Sequence, residues 1–270
     1  MIAAMTSTSW QDRVGTAGNA PLRWIAGWGR IVFFGASLLV LALSPATYSP
    51  ETRRALLHHI YVDTAPVLAW FTTLAAFLTL VITRIVVVTA LSYGLSQYAL
   101  EMVIRVLVLE LIPLTAALFI ALRCTIPNGA AVAAMRRSGH FDALARAGRD
   151  PVVTQALPRA LAGIYATVTL AALSCVVALV LAYLAVYGFT TAGIPSYTRV
   201  FGHVFTPAVS LVFVLKTLLF SLAVAIIPMA SGLYDTEGDG SRESAALQGL
   251  VRMFAVLLVL EALSLAGNYY

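Results

Sequence analysis

Four ionisable side chains lie inside long apolar stretches of the sequence, where charge is costly. They are Arg84, Glu110, Lys216 and Glu261. A charge at the centre of a bilayer costs at least about 2.5 kcal/mol on insertion scales, so such residues are functional candidates by default. The alternative is that oppositely charged side chains neutralise one another in ion pairs and have a structural role. Glu101 and Arg105 have the i, i+4 spacing of a helical ion pair. Lys216 would pair with Glu110 or Glu261 across helices.

The sequence contains no motif for nucleotide hydrolysis or for hydrolytic catalysis. GxxxxGK[ST], HExxH and GxSxG are all absent, and the only lysine, Lys216, follows Leu215 in an apolar stretch. A phosphate-binding loop must therefore come from another polypeptide if ATP powers this protein. His58, His59 and Asp63 come nearest to a metal site. Adjacent histidines on a helix point about 100° apart, so we expect no metal.

The composition identifies the elements that must hold these residues as membrane helices. Hydrophobic residues make up 60% of the 270 residues, and charged residues only 11%. The mean hydropathy is +0.90. A soluble domain of this size could not cover such a core with so little polar surface. Disorder and a disulfide scaffold are excluded as well, because the chain is apolar and has two cysteines. The sequence predicts an all-α integral membrane protein.

Charge-poor stretches predict five membrane-spanning helices, since a span needs about 20 apolar residues. The predicted spans are 64–92, 99–123, 160–187, 203–231 and 246–268. Turn-forming residues beginning at Tyr93 separate the first span from the second. Those between Gly188 and Pro195 separate the third span from the fourth.

The segment before the first span is apolar but carries Arg23 and Arg30 on one helical face. Its uncharged part, 31–43, would reach only about 20 Å as a helix, which is too short to span a bilayer. We therefore predict an interfacial helix over 22–43, with a cleaved signal peptide as the alternative. The predicted organisation is an N-terminal cytoplasmic segment, 1–62, and a transmembrane domain, 63–270.

The distribution of arginine predicts the orientation. Arginines are concentrated before the first span and in the connection between the second and third spans. Arginine-rich segments stay in the cytoplasm, which places the N-terminus inside and the C-terminus outside. The connection 232–245 is acidic but also falls on the inner side; acidic residues count little in this rule.

The connection 124–158 is too long for a simple loop. Residues 130–147 are rich in helix formers, and Gly148 is placed as a C-terminal stop. Asp150 and Pro151 form an N-cap followed by proline at the first helical position. The pattern predicts a helix, a tight turn and a second helix. Spacing leaves two interpretations open: a solvated basic loop beside anionic lipid, or a rigid knob inserted into a soluble partner.

A series of short motifs continues from the second span into this connection. In order they are Glu110–Pro113 (ELIP), Ala121–Arg123 (ALR), Met135, Phe141–Leu144 (FDAL), Gly148–Pro151 (GRDP) and Pro158–Arg159. Later come Lys216 with Phe220, Gly232, the loop Gly238-Asp239-Gly240, and Glu261. Together they resemble the MlaE (YrbE) family of ABC-transporter permeases, which usually has Asp where Glu261 stands.

The resemblance implies a transporter subunit rather than an enzyme, in the bacterial inner (cytoplasmic) membrane. The implied partners are a cytoplasmic ABC ATPase, an MCE-domain lipid-binding protein, a second permease copy and a small cytoplasmic regulatory subunit. Membrane lipid is the implied cargo, and no nucleic acid is involved. ATP and Mg²⁺ would bind to the partner ATPase, so no cofactor is expected in this chain.

The resemblance also implies roles for individual residues. Residues 131–147 would be the coupling helix that fits a groove on the ATPase. The implied coupling residues are Met135, Arg136, Arg137, Phe141, Asp142, Leu144, Arg146, Gly148, Asp150 and Pro151. The implied intramembrane polar residues, with a role in gating or in handling a lipid headgroup, are Glu110, Arg123, Lys216, Glu261 and Arg84.

Three positions depart from the family pattern. Thr125 stands where the family has Gly, and Ala131 and His140 stand where it has Glu. These departures affect the docking contacts and the identity of the ATPase more than the fold. They leave a non-transporting membrane anchor of an MCE assembly as an alternative. A helical membrane enzyme acting on lipid is a further alternative, although the sequence has no convergent acid–base motif.

Overall fold

The computed structural model describes residues 20–234 and 242–269, and helices dominate both ranges, in which no strand occurs. The helices are α1 (Ala20–Leu43), α2 (Pro50–Ser92), α3 (96–137), α4 (His140–Arg146), α5 (Val152–Tyr187), α6 (Ile194–Val204), α7 (Pro207–Tyr234) and α8 (Arg242–Tyr269). Six of these, namely α1, α2, α3, α5, α7 and α8, are long and apolar enough to cross a membrane. The predicted all-α membrane fold is confirmed.

The five predicted spans fall in α2, α3, α5, α7 and α8. The fourth begins at Pro207 rather than at residue 203, because a separate helix, α6, occupies Ile194–Val204. Tyr197 of α6 donates its hydroxyl to the Leu179 carbonyl of α5 at 2.9 Å. Burial raises the pKa of Tyr197 to about 12, so this phenol stays a neutral donor.

Helix α1 has 24 residues, Ala20–Leu43, which agrees with the helix predicted over 22–43. Its stretch Ala26–Leu43 is also long and apolar enough to cross a membrane, whereas the sequence prediction allowed only 31–43 as uncharged helix. Arg30 was predicted to end the apolar stretch, yet its guanidinium donates to the Tyr234 carbonyl at the end of α7, 3.2 Å away. Because a helix C-terminus accepts cations, this arginine is accommodated within the helical assembly. The interfacial position of α1 stays a prediction, and the side chain of Arg23 lies outside the described residues.

Helix α2 is a single helix of 43 residues, about 65 Å long, which is twice the hydrocarbon thickness of a bilayer. It begins sharply because the Ser49 hydroxyl accepts the Thr52 N–H at 3.2 Å and Pro50 takes the first helical position. The predicted first span, 64–92, is therefore the second part of a longer helix.

Pro66 lies inside α2 and has no N–H to donate to the Val62 carbonyl four residues earlier. The helix nevertheless continues through this point, which is also where the predicted boundary between the segments 1–62 and 63–270 falls. The two predicted segments therefore share one helix.

Helix α3 continues without interruption from residue 96 to residue 137. Its α-helical turns alternate with two π-helical stretches, Ile104–Leu111 and Ala121–Thr125, and each ends two residues before a proline, Pro113 and Pro127. Proline crowds the carbonyl four residues earlier, and a local π-helical stretch relieves that crowding. The predicted second span thus leads into the connection to α5 as unbroken helix.

The connection to α5 forms a hairpin, which we call the α3–α5 hairpin (126–150). The predicted single helix over 131–147 is corrected to two helices, Ile126–Arg137 and His140–Arg146. Gly139, with φ of +74°, separates them, because only glycine adopts this left-handed conformation without strain. The sequence prediction missed this turn because Gly139 is surrounded by helix-forming residues.

Both ends of the turn into α5 follow the sequence prediction. Gly148 has φ of +72°, and the N–H groups of Gly148 and Arg149 donate to the carbonyls of Ala145 and Leu144, both at 3.0 Å. This is the Schellman termination of α4. Asp150 then accepts the Val152 N–H at 2.8 Å and caps the next helix.

The first part of the hairpin packs directly against α7. A Cβ added at Gly129 would lie 2.6 Å from the Pro228 carbonyl oxygen, and one added at Gly232 would lie 2.3 Å from the Gly129 carbonyl oxygen. The two backbones touch, so this crossing requires glycine on both helices. Elsewhere, α2 packs along α5, and α7 packs along α8.

Candidate functional site

Lys216 of α7 lies at the centre of a buried charged cluster. Its side chain is 2% exposed, and its ammonium contacts the carboxylates of Glu110 on α3 and Glu261 on α8. The ammonium-to-carboxylate distance to Glu261 is 2.8 Å. The predicted pairing of Lys216 is confirmed and extended, because the lysine binds both acids at once. One cation therefore joins three membrane helices.

A backbone carbonyl provides a further ligand for this ammonium, and the sequence explains why it is present. Lys216 Nζ donates to the Leu109 carbonyl at 3.3 Å. Residue 113, four positions later, is proline and has no N–H for that carbonyl. Pro113 of the ELIP motif thus leaves the Leu109 carbonyl without an N–H four residues later, and Lys216 donates to this carbonyl instead.

Asn268 belongs to the same cluster and was not predicted. Its amide donates to Glu110 Oε1 at 3.3 Å, so Glu110 accepts hydrogen bonds at both oxygens. Asn268 lies seven residues after Glu261 and therefore on the same face of α8. This spacing was the available signal. The Phe220 ring completes the surroundings, with its centroid 5.6 Å from Lys216 Nζ.

The other polar residues predicted inside the membrane are not ionic partners of Lys216. Arg84 on α2 and Arg123 on α3 both have exposed side chains. The predicted pair between Glu101 and Arg105 is confirmed, with the Arg105 Nε 3.0 Å from the Glu101 carboxylate. His203 of α6 lies 3.7 Å from the same carboxylate, so this pair joins α3 to the helix that precedes α7.

The residues predicted for coupling divide into two groups in the α3–α5 hairpin. Exposed are Arg137, Asp142, Arg146, Gly148 and Asp150; half-buried are Met135, Arg136, Phe141, Leu144 and Pro151. Met135 and Phe141 pack against the main hydrophobic core, so they support the hairpin itself. Asp150 caps α5, and the Arg146 guanidinium donates to the Asp142 carbonyl of its own helix at 3.2 Å.

Helix α4 has no fully buried residue, in contrast to the helical segment before it. Its exposed face carries Asp142 and Arg146, with the small residues Ala143 and Ala145 between them. A short helix of this kind presents a low, charged ridge that a groove on another protein can accept. The geometry therefore suits contact with a soluble partner.

Within residues 20–234 and 242–269, no three His, Cys, Asp or Glu side chains come together as a metal site. The rings of His58 and His59 contact each other, with centroids 5.8 Å apart. That this chain itself binds no metal or nucleotide stays a prediction. The predicted glycine-rich loop, Gly238-Asp239-Gly240, lies outside the described residues.

Six long apolar helices, three of which meet at a buried lysine–carboxylate cluster, define a multi-pass membrane protein. The chain belongs to the family described as Permease MlaE, which it matches over residues 56–266. No curated protein sequence matches it. Membership makes it a permease of the kind used in ABC-type lipid transport, and hence a transporter subunit rather than an enzyme. The suspected family is confirmed, and the match begins earlier than the motifs, inside α2.

Proposed function

We propose that the chain is the membrane subunit through which an ABC system moves a membrane lipid in the bacterial inner membrane, driven by a separate cytoplasmic ATPase. The family match over 56–266 is the observation that carries this proposal. The sequence supports it, since it lacks a nucleotide-binding motif. In the structure, α3 carries Glu110 of the buried cluster and leads directly into the exposed helix α4.

In this proposal the α3–α5 hairpin docks on the ATPase, and the coupling contacts are made by its exposed residues. The N-terminus and the hairpin are cytoplasmic, as the arginine distribution predicts, and the C-terminus is periplasmic. Docking through α4 fits its lack of buried residues and its charged ridge at Asp142 and Arg146. The half-buried side chains, such as Phe141, hold the hairpin against the membrane helices.

The transport path is formed by two copies of the chain and is continued outside by an MCE-domain protein. A small cytoplasmic regulatory subunit completes the assembly. Apolar side chains along α2 support a lipid-facing role: Trp70 and Phe77 are both about two-thirds exposed. A surface of this kind is stable only against lipid or another apolar helix.

The lysine–carboxylate cluster acts as the gate of this path. Lys216, Glu110 and Glu261 fasten α7, α3 and α8 to one another. Because an unpaired charge is costly in the apolar interior, the three helices separate only when the cluster exchanges partners. A lipid headgroup is the polar group that the proposed cargo brings to the cluster. Arg84 and Arg123 would act at the surfaces of their helices instead.

The decisive experiment is reconstitution of the chain with its ATPase and MCE-domain partner in vesicles. We expect fluorescent lipid to move between the vesicles and the MCE-domain protein when ATP is present. A complex with an ATPase variant that binds but does not hydrolyse ATP is the matched control and should move none. An intact complex that hydrolyses ATP without moving any lipid tested would contradict the proposal.

A non-transporting anchor of an MCE assembly is the second candidate. The observation that favours it is the position of Ala131 and His140, two departures from the family pattern, at exposed sites of the hairpin. The same reconstitution separates the candidates. An anchor would hold the MCE-domain protein at the membrane but would neither stimulate the ATPase nor move lipid.

A further inference from the structure

Two polar links join the α3–α5 hairpin to helix α2, one at each end of the hairpin. At its start, the Asn128 amide donates to the Asp63 carboxylate at 3.0 Å. At its end, the Arg149 guanidinium contacts the Glu51 carboxylate at 2.9 Å. The hairpin is thus connected twice to the same long helix, at positions 12 residues apart (63 − 51).

The two links differ sharply in their surroundings. Asp63 is 7% exposed, and its backbone carbonyl accepts the Cys124 thiol at 3.5 Å. Arg159 of α5 interacts electrostatically with the Asp63 carboxylate. By contrast, the side chains of Arg149 and Glu51 are 53% and 71% exposed. The Asn128–Asp63 hydrogen bond is part-buried, and a hydrogen bond to a buried carboxylate is directional and costly to lose, whereas an exposed ion pair contributes little.

The residue next to Asn128 is fixed from another side. Gly129 touches the backbone of α7 at Pro228 and Gly232, so there is no space between the two helices at this point. Residues 128 and 129 are therefore held by α2 and α7 at once. Helix α4, 11 residues further on, has no buried residue and is free to contact a partner.

We infer that the Asn128–Asp63 hydrogen bond is the joint through which movement of the hairpin reaches the membrane helices, with Asn128 as a positioning residue. This inference rests on the proposed function, in which the hairpin contacts the ATPase. A displacement of α4 is carried along the helix 126–137 to residue 128. There the hydrogen bond directs it to α2, and the close backbone contact of Gly129 passes it to α7, which holds Lys216.

The test measures lipid moved per ATP hydrolysed in the complete reconstituted complex. We expect Asn128→Ala and the near-isosteric Asp63→Leu to lower this ratio at least about fivefold, because the first removes the donor and the second removes the acceptor of this hydrogen bond. Bound ATPase, measured by co-purification, should stay unchanged, since neither residue lies on α4. A joint that serves folding alone would lower the yield of complex and leave the ratio intact.

The reciprocal variant, Asp63→Asn with Asn128→Asp, keeps one amide and one carboxylate facing each other. We expect it to restore the ratio to within about twofold of the original chain, as a double-mutant cycle requires for a direct interaction. If Asn128→Ala does not fold, Asp63→Leu and this exchange still decide the question. A reciprocal variant no better than Asn128→Asp alone, in which two carboxylates face each other, would overturn the inference.

Glu51→Gln is the matched control, because it removes the exposed ion pair at the other end of the hairpin from the α2 side and leaves the exposed residues of the hairpin unchanged. It should leave the ratio unchanged. An equal loss in Glu51→Gln, or an unchanged ratio in Asn128→Ala, would overturn the joint while leaving the proposed transport intact. A complex of the unaltered chain that moves no lipid would instead remove the proposed function and the joint with it.

Discussion

The ammonium of Lys216 is bound by groups from three helices, and each ligand has a separate cause in the sequence. Glu110 and Glu261 bring the charges, and Pro113 frees the Leu109 carbonyl. Asn268 orients Glu110 by donating to its second oxygen. A buried charge is tolerated under these conditions because both carboxylates lie close to the ammonium and the Leu109 carbonyl accepts a hydrogen bond from it. The cluster is therefore expected to behave as a unit in mutational tests.

Replacing Lys216 by Gln should lower the free energy of unfolding by about 3–5 kcal/mol, because two carboxylates would then face each other without a cation. Denaturation of the detergent-solubilised protein measures this. The charge-free variant, with Lys216→Met, Glu110→Gln and Glu261→Gln together, should recover most of the loss. A cost of less than about 1 kcal/mol for Lys216→Gln would show that the cluster is not paired as described.

Replacing Asn268 by Ala should cost about 1–2 kcal/mol of stability, because the buried Glu110 carboxylate loses a donor. The neighbouring Gly267→Ala is the matched control, since a Cβ there meets nothing within 4 Å. It should be neutral or slightly stabilising. Equal effects of the two changes in the same unfolding assay would contradict the assignment of Asn268 to the cluster.

The sequence identified most of this cluster but not all of it. Because charged residues are rare in the apolar stretches, few acidic residues could pair with Lys216, and both of its partners, Glu110 and Glu261, were predicted. Asn268 carries no charge and lies near the end of the last span, where an amide is common, so the sequence did not distinguish it. The exposed positions of Arg84 and Arg123 depend on helix rotation, which the sequence does not show.

At the level of elements, the contact between the hairpin and α7 depends on two glycines. Gly129→Ala and Gly232→Ala should each destabilise the protein by about 1–3 kcal/mol, because the new Cβ would meet a backbone oxygen rather than a movable side chain. Thermal unfolding of the purified variants measures the loss. Gly202→Ala in α6, where nothing lies within 4 Å, is the helical control and should not destabilise.

The sequence predicted the helices well in charge-poor stretches. It predicted them less well where a single backbone angle or side-chain contact determines the structure. Long uncharged stretches placed the spans in α2, α3, α5, α7 and α8. The break at Gly139 was missed because one φ angle decides it. The spanning length of the apolar stretch in α1 was missed because Arg30 is accommodated by the end of α7. Helix α3 continues unbroken into the hairpin through its π-helical stretches, and the hydrophobic periodicity of the sequence does not reveal these stretches.

At the level of the whole molecule, the orientation in the membrane is open to direct measurement. Ala145→Cys in α4 should react with a membrane-impermeant thiol reagent only after the cytoplasmic side is opened. Ala192→Cys, in the connection between α5 and α6, should react from outside. Both positions are exposed, while Cys124 and Cys175 are buried and give a low background. Reaction at both sites from the same side would contradict the proposed topology.

Docking of the ATPase is tested by reversing one exposed charge. Arg146→Glu places a carboxylate on the ridge of α4 and should lower the amount of co-purified ATPase at least about tenfold, because the ATPase groups that contact the Arg146 cation would then face an anion. Arg199→Glu, an equally exposed change on α6, is the control and should have no effect. Retention of the ATPase by Arg146→Glu would place the docking site elsewhere.

The proline within α2 has a mechanical consequence for the molecule. A 43-residue helix would normally be stiff along its whole length, but Pro66 removes one backbone hydrogen bond about one turn after Asp63. Bending of α2 therefore needs the least energy at this point, between the parts 50–65 and 67–92. The Asn128–Asp63 hydrogen bond joins α2 to the hairpin within one turn of this point, so a displacement of the hairpin acts on α2 close to where the helix bends most easily.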